Sequence, residues 1–181
     1  MAINLDCESL RKSEETIVSG VPDVRVDSET LEHLKRIAKS TSRKRVRLCA
    51  HQDDDQSVQE MFIVHPRRAY IPPHKHLDKS ESILIISGNC DYFTFDERGV
   101  IVERVRLGDY SSGQIFFSRQ QNDAYHSLLI HSSELIFLEI TRGPFRREDM
   151  VIASWAPQES SLSQVEEFHA RLENWQGGSS S

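Results

Sequence analysis

The stretch Pro73-His74-Lys75-His76-Leu77-Asp78-Lys79-Ser80-Glu81-Ser82-Ile83-Leu84-Ile85-Ile86-Ser87-Gly88 reads H-x-H-x4-E-x6-G. On a strand, residues two apart point to the same face, so His74 and His76 aim their imidazoles at one point. Asp78-Lys79-Ser80 is a polar break with turn character, which lets Glu81 open the next strand and bring a carboxylate to the same point. Two imidazoles and a carboxylate suit one divalent transition metal such as Zn, Fe, Mn or Ni.

Outward from this stretch the period of the sequence is two. Val46, Leu48 and Ala50 alternate with Arg45, Arg47, Cys49 and His51. Further strands are expected at 61–64, 69–71, 83–87, 90–95, 100–107, 115–117, 125–130 and 134–141, with Asp96-Glu97-Arg98-Gly99 as a hairpin turn. Short strands at close spacing, with no helix between them, indicate an all-β sandwich or barrel. Helices flank it. Leu31, Leu34, Ile37 and Ala38 form an apolar stripe behind Asp27 or Ser28 as cap, and Val165, Phe168, Leu172 and Trp175 form another behind Ser163, with Glu166 placed for a capping box. The expected organisation is a segment and helix over 1–42, a β-barrel over 43–157, a helix within 158–176 and a disordered tail over 177–181.

Composition narrows the function classes. The 181 residues carry 28 acidic against 22 basic side chains, a net charge of −6, with no basic stripe interleaved with aromatics, so nucleic acid is not an expected partner. Cys7, Cys49 and Cys90 are scattered and form no C-x-x-C pair, which points away from disulfides and toward a reducing cytoplasm. Met1 to Gly20 has no apolar leader-like run and no stretch is long enough to span a bilayer, so no membrane association is expected. Leu5, Leu10, Ile17 and Val18 are apolar residues outside the strand pattern, and a homodimer with residues 1–27 against the other subunit would account for them.

The H-x-H-x4-E-x6-G string resembles the first motif of the cupin superfamily, a jelly-roll barrel (a double-stranded β-helix) that holds a metal inside. That resemblance implies one more histidine from a strand behind a Gly-led stretch. Gly108 opens such a stretch and His126 is the residue that matches. Gln121 and Asp123 stand where the pattern usually has Pro and Gly, Ile130 where it has Asn, and Arg68 where a Gly precedes the first motif. A closer likeness runs over about residues 43–157. Arg45-Val46-Arg47-Leu48-Cys49-Ala50-His51, Val58-Gln59-Glu60-Met61, Glu139-Ile140-Thr141-Arg142-Gly143-Pro144-Phe145 and Trp155-Ala156-Pro157 resemble the WbuC family of cupin-fold metalloproteins. This implies fold, metal and a setting among genes for surface polysaccharide synthesis; it implies no reaction.

Polar residues on the expected inner strands complete the candidate site. Glu139 and His51 are candidate general bases, and Arg45 and Arg47, which share a strand face with His51, are candidate anion-binding groups, since a guanidinium offers a two-pronged fork to carboxylate or phosphate. Gln59 and Arg119 are further substrate-binding candidates. Two functions fit these residues. One is a metal-dependent enzyme of isomerase, epimerase or oxygenase type acting on a small, anionic sugar, sugar nucleotide or organic acid. The other is a non-catalytic metal-containing module that binds or senses such a molecule.

Overall fold

The computed structural model describes residues 1–121 and 123–177; the expected tail therefore lies, apart from Gly177, outside the described residues. Twelve strands run in chain order: β1 Ser9–Arg11, β2 Thr16–Ser19, β3 Val46–Cys49, β4 Val58–Pro66, β5 His74–His76, β6 Glu81–Ser87, β7 Asn89–Phe95, β8 Ile101–Gly108, β9 Phe117–Gln120, β10 Tyr125–Ile130, β11 Glu134–Arg142 and β12 Met150–Ile152. Two helices accompany them, α1 Ser28–Ser40 and α2 Leu162–Glu173.

The strands form a seven-stranded sheet, ordered β1-β2-β3-β4-β11-β6-β9, and a five-stranded sheet, ordered β12-β5-β10-β7-β8. From β4 to β12 the chain changes sheet at every step except the β7–β8 hairpin. That alternation is a double-stranded β-helix. The expected all-β jelly roll of cupin type, with helices at both ends, is the fold observed. Between the sheets lies an apolar core of Ile63, Ile83, Ile85, Tyr92, Leu107, Leu128, Ile130, Leu135 and Phe137.

Each outer face carries, over its apolar part, the helix that the apolar periodicity foretells. Asp27 caps α1 by accepting from the Thr30 N–H at 2.9 Å, and the helix lays Leu34 and Ala38 on Val46, Leu48, Val64 and Ile136 of the larger sheet. α2 lays Val165, Phe168 and Leu172 on Phe93, Phe95 and Leu129 of the smaller one. The capping box at Ser163 does not form, because α2 starts at Leu162 with Ser161 in the cap position and no side-chain cap bond.

Three short strands escape the sequence pattern. β1 and β2 extend the larger sheet, β2 running parallel to β3, and Leu5 and Ile17 enter the same core as α1 while Val18 is also buried. The N-terminal apolar residues are thus accounted for within one chain, and of the four only Leu10 is exposed. β12 pairs with β5. Conversely, Ala69-Tyr70-Ile71 is not a strand. Pro66, Pro72 and Pro73 surround it, and each lacks the N–H that a ladder needs.

Candidate metal centre

Residues His74 and His76 occupy β5, which lies between the edge strand β12 and the central strand β10 of the smaller sheet. The register puts His126 of β10 directly opposite His74. Lys75, between the two histidines, points the other way and lies over the Tyr125 ring on the outer face. After His76 the chain turns sharply at Asp78, whose φ of 55° is in the left-handed region that Asp tolerates better than most residues. The Asp78 N–H donates to Asp123 Oδ1 at 3.2 Å, and the Leu77 N–H to the Asp149 carbonyl at 2.8 Å. This turn carries the chain across to the larger sheet, where Glu81 opens β6 opposite Thr141 of β11 and Gln120 of β9. Three imidazoles from one sheet therefore meet a carboxylate from the other. The motif glycine has its own reason. Gly88 sits at φ 92°, and a Cβ there would fall 2.5 Å from the Glu134 carbonyl oxygen.

One potential ligand atom from each of His74, His76, Glu81 and His126 lies within 4.8 Å of the others. His76 Nε2 is 3.0 Å from one Glu81 oxygen and His126 Nε2 3.5 Å from the other. His74 Nδ1 is 2.8 Å from the Pro72 carbonyl and His126 Nδ1 is 3.2 Å from the Ala124 carbonyl. A carbonyl only accepts, so in both rings Nδ1 carries the hydrogen and Nε2 presents a lone pair to the cluster. His76 Nε2 and His126 Nε2 are buried and form no well-aligned hydrogen bond. Lone pairs that converge on a carboxylate repel one another unless a cation or a proton lies between them. The donor set thus fits a metal ion.

Electrostatics agree with that geometry for His74, while at His126 the Glu81 carboxylate favours a proton on Nε2 that a metal ion would displace. Burial, aided by the neighbouring His126, pushes the His74 pKa down to about 3, so its imidazole is neutral. Burial acting alone would raise Glu81 and lower His126, but their mutual attraction reverses both: Glu81 is held well below the usual carboxylate range and His126 is raised. His65, on the inner face and stacked on Phe137 with ring centroids 5.8 Å apart, is pushed to about 3 by burial. Folded-state values below the unfolded 6.5 mean that the unfolded chain binds more protons between those limits, so stability is lost as pH falls. His65 and His74 therefore take stability from the metal-free protein as pH falls from about 6.5 to about 3, against an opposite contribution from Glu139 above about pH 4.5. His65→Gln is expected to change the slope of urea resistance over that window toward a smaller loss at low pH. A slope identical in the variant removes His65 from the account.

Two residues that the sequence pattern did not single out support the cluster. Tyr92 stacks on His126 with centroids 5.5 Å apart and planes 12° from parallel. Its hydroxyl donates to Gln120 Oε1, and Gln120 Nε2 donates to the Ala124 carbonyl at 2.8 Å, the same carbonyl that His126 Nδ1 uses. The ring plane and tautomer of His126 are therefore fixed from two sides.

Of the other expected site residues, Glu139 and Arg47 lie on the inner face. Glu139 is opposite both Met61 of β4 and Ile83 of β6, partly accessible yet surrounded by protein, as a group lining an internal cavity would be. Burial first, and the Glu81 charge second, push its pKa up to about 8, against opposing contributions from Arg47 and His126. Arg47, on β3, is opposite Ile63, exposed and with no ion pair among the described residues.

The remaining four are placed elsewhere. Arg45 is bound by Glu15 at 3.0 Å, Glu159 at 3.6 Å and the Tyr70 carbonyl at 3.3 Å, which consumes its guanidinium. His51 is buried with Nδ1 accepting from the Glu60 N–H at 3.0 Å, so it fastens the β3–β4 connection rather than facing the cluster. Gln59 faces inward, but its amide donates to the Gln56 carbonyl at 2.9 Å and the Asp53 carbonyl at 3.3 Å, holding the 52–57 loop. Arg119 lies opposite Ser82, on the other side of the sheet from Glu81. It lines a surface cleft of about 580 Å³ with Asp78, Lys79, Gln121, Asp123 and Arg142. On β9 it is Gln120, not Arg119, that points toward the cluster.

A family profile described as a domain of unknown function, DUF6016, matches residues 26–107, which include His74, His76 and Glu81 but not His126. No curated protein matches the sequence. Similar solved structures include a mutant of the Bacillus subtilis oxalate decarboxylase OxdC, at 17% identity over 54% of this chain and 24% of that one, TM-score 0.44. The capsular polysaccharide assembling protein CapF from Staphylococcus aureus aligns at 12% identity over 54% of this chain and 27% of that one, TM-score 0.44. An oxalate oxidase in complex with the substrate analogue glycolate aligns at 10% identity over 63% of this chain and 57% of that one, TM-score 0.48. The chain spans about a quarter of the length of OxdC (24%) and of CapF (27%), and no activity is carried over from them. Among the described residues, no helix is long and apolar enough to cross a membrane.

Proposed function

We propose that this chain is a metal-dependent cupin enzyme for a small anionic sugar, sugar nucleotide or organic acid, with isomerase-, epimerase- or oxygenase-type chemistry in the cytoplasm. The observation that carries the reading is the convergence of unpartnered imidazole lone pairs and a carboxylate, from two sheets, beside the inner-face acid Glu139. His74, His76, Glu81 and His126 would hold one divalent transition metal. Such an ion supplies Lewis-acid polarisation of a carbonyl or hydroxyl, or a redox centre. Tyr92 and Gln120 keep the His126 ring in place. Glu139 would hold or release a proton at its carboxyl oxygen, and it replaces His51 as the candidate acid–base group. The likeness to the WbuC family supports a place in surface polysaccharide synthesis.

Arg47 is the group we assign to the ligand's negative charge, because its fork is free while that of Arg45 is not. Loss of one charge-assisted hydrogen-bonding group typically costs about 1.5–3 kcal/mol, or roughly 10- to 150-fold in affinity. Calorimetric titration of the metal-loaded protein with neutral sugars and their phosphorylated or carboxylated counterparts is expected to favour the anions. Arg47→Ala is expected to abolish that preference. Equal affinity for neutral and anionic forms in the wild type would remove the anion from the proposal. Binding with no turnover of any ligand, with metal present, would instead favour the non-catalytic sensing module.

A further inference from the structure

α2 covers only part of the outer face of the smaller sheet. The covered part is apolar: Phe93, Phe95 and Leu129 beneath Phe168 and Leu172. Further along the same face the chemistry changes. Asp91 lies between inward-pointing Cys90 and Tyr92 and so faces outward, opposite Arg106 of β8 and Leu129 of β10. It is 1% exposed, an acid removed from water on an outer sheet face. Arg104 reaches it at 2.5 Å and His131 Nε2 at 2.8 Å. With Asn89, Arg106 and Gln114 these groups line a cleft of about 280 Å³.

The cleft contains more hydrogen-bonding capacity than it uses. Arg104 Nε is a buried donor without a partner, and Asn89 Oδ1 is a buried acceptor without one. Arg106 has no ion pair among the described residues. Asp91 neutralises one of the two guanidiniums and locks the Arg104 fork, whose guanidinium carbon lies over the Phe93 ring, 5.8 Å from its centroid. What remains is a preorganised pair of cationic donors beside a single acceptor. A buried donor and acceptor left open cost free energy that a ligand carrying the complementary groups recovers.

We propose that this cleft is a second small-molecule site, for an oxyanion that carries a hydroxyl or amine donor close by. The oxyanion takes Arg104 Nε and the Arg106 guanidinium, and the neighbouring donor takes Asn89 Oδ1. Because Asp91 and Tyr92 are successive residues of one strand, the cleft lies on the face of the sheet opposite the metal cluster. Its occupancy does not depend on the metal.

The test is titration of the full chain with glycerate, glycerol phosphate, acetate and glycerol, followed by NMR at the side-chain amides of Asn89 and Gln114. Glycerate or glycerol phosphate is expected to shift both amides saturably, and comparing the two identifies carboxylate or phosphate as the preferred oxyanion. Acetate, which lacks the donor, and glycerol, which lacks the charge, bind more weakly. Arg106→Gln is expected to weaken binding about tenfold or more, and Asn89→Ala to abolish the preference for glycerate over acetate. His76→Ala, which acts on the metal cluster, leaves these shifts unchanged. No saturable shift with any probe, an unaltered affinity in Arg106→Gln, or loss of the shifts in His76→Ala overturns the proposal.

Discussion

His76→Ala is expected to lower metal content, measured by elemental analysis after reconstitution, from about one per chain to well below one. The imidazole removed is one of three on the β5–β10 side, while Glu81 alone represents the opposite sheet. An ion held by this set ties the two sheets together, so it stabilises the folded chain by mass action. At a free metal concentration of about a thousand times Kd, that stabilisation is about 4 kcal/mol. For a domain of this size it corresponds to a Tm increase on the order of 10 °C. Chelation should therefore lower the wild-type Tm by about that amount and leave the variant unchanged. The metal-free chain should remain folded, since the core between the sheets and the two beneath the helices are apolar and independent of the cluster. Equal metal content in variant and wild type would refute the ligand assignment. Unfolding on chelation alone would mean that the metal is structural, closing a four-ligand site.

Three members of the candidate donor cluster were legible in the sequence because they are local. His74, His76 and Glu81 fall within eight residues, and strand alternation suffices to aim the two imidazoles together. His126 came from the family resemblance, and the β5–β10 register places it opposite His74. The residues that went astray did so for reasons that local pattern does not contain. Arg45 shares a strand parity with Arg47, but its partners Glu15 and Glu159 are far away in the chain and meet it only when the N-terminal strands and the segment before α2 converge. Gln59 and His51 have polar heads that find backbone groups of their own loop and hairpin, a commoner fate for a buried amide or imidazole than substrate binding. Arg119 failed on parity. With β9 expected at 115–117 rather than at Phe117–Gln120, nothing fixed which of two neighbours faced inward, and a shift of one residue exchanges the faces. Tyr92 and Asp91 illustrate the same point on β7. One stacks on a candidate ligand and its neighbour opens a separate cleft, and only the register distinguishes them.

Glu139→Gln is the substitution expected to have the largest effect on turnover. The amide keeps the size and a hydrogen-bond donor but cannot carry a proton, so removing a positioned acid–base group should lower kcat by about 10²–10⁴. KM and metal content should hardly change, because Glu139 is not in the four-residue donor group. A stability measurement supplies a second readout that needs no substrate. Burial and the Glu81 charge raise the folded-state pKa to about 8, while the unfolded carboxyl titrates near 4.5. Between these values the folded state binds the extra proton, so Glu139 takes stability away as pH rises; below about 6.5 the buried histidines oppose this, and from about 6.5 to about 8 the metal-free wild type loses stability through Glu139. Glutamine has no proton to lose, and the variant should be flatter over that window. A metal ion beside Glu81 offsets the carboxylate charge and draws the Glu139 pKa down, so reconstitution should reduce the wild-type slope as well. A wild-type slope that Glu139→Gln leaves intact would show that Glu139 is solvated rather than confined in the barrel. Unchanged kcat with the stability effect present would leave it as a buried acid with no part in the chemistry, and the proton carrier would have to be sought on the substrate itself.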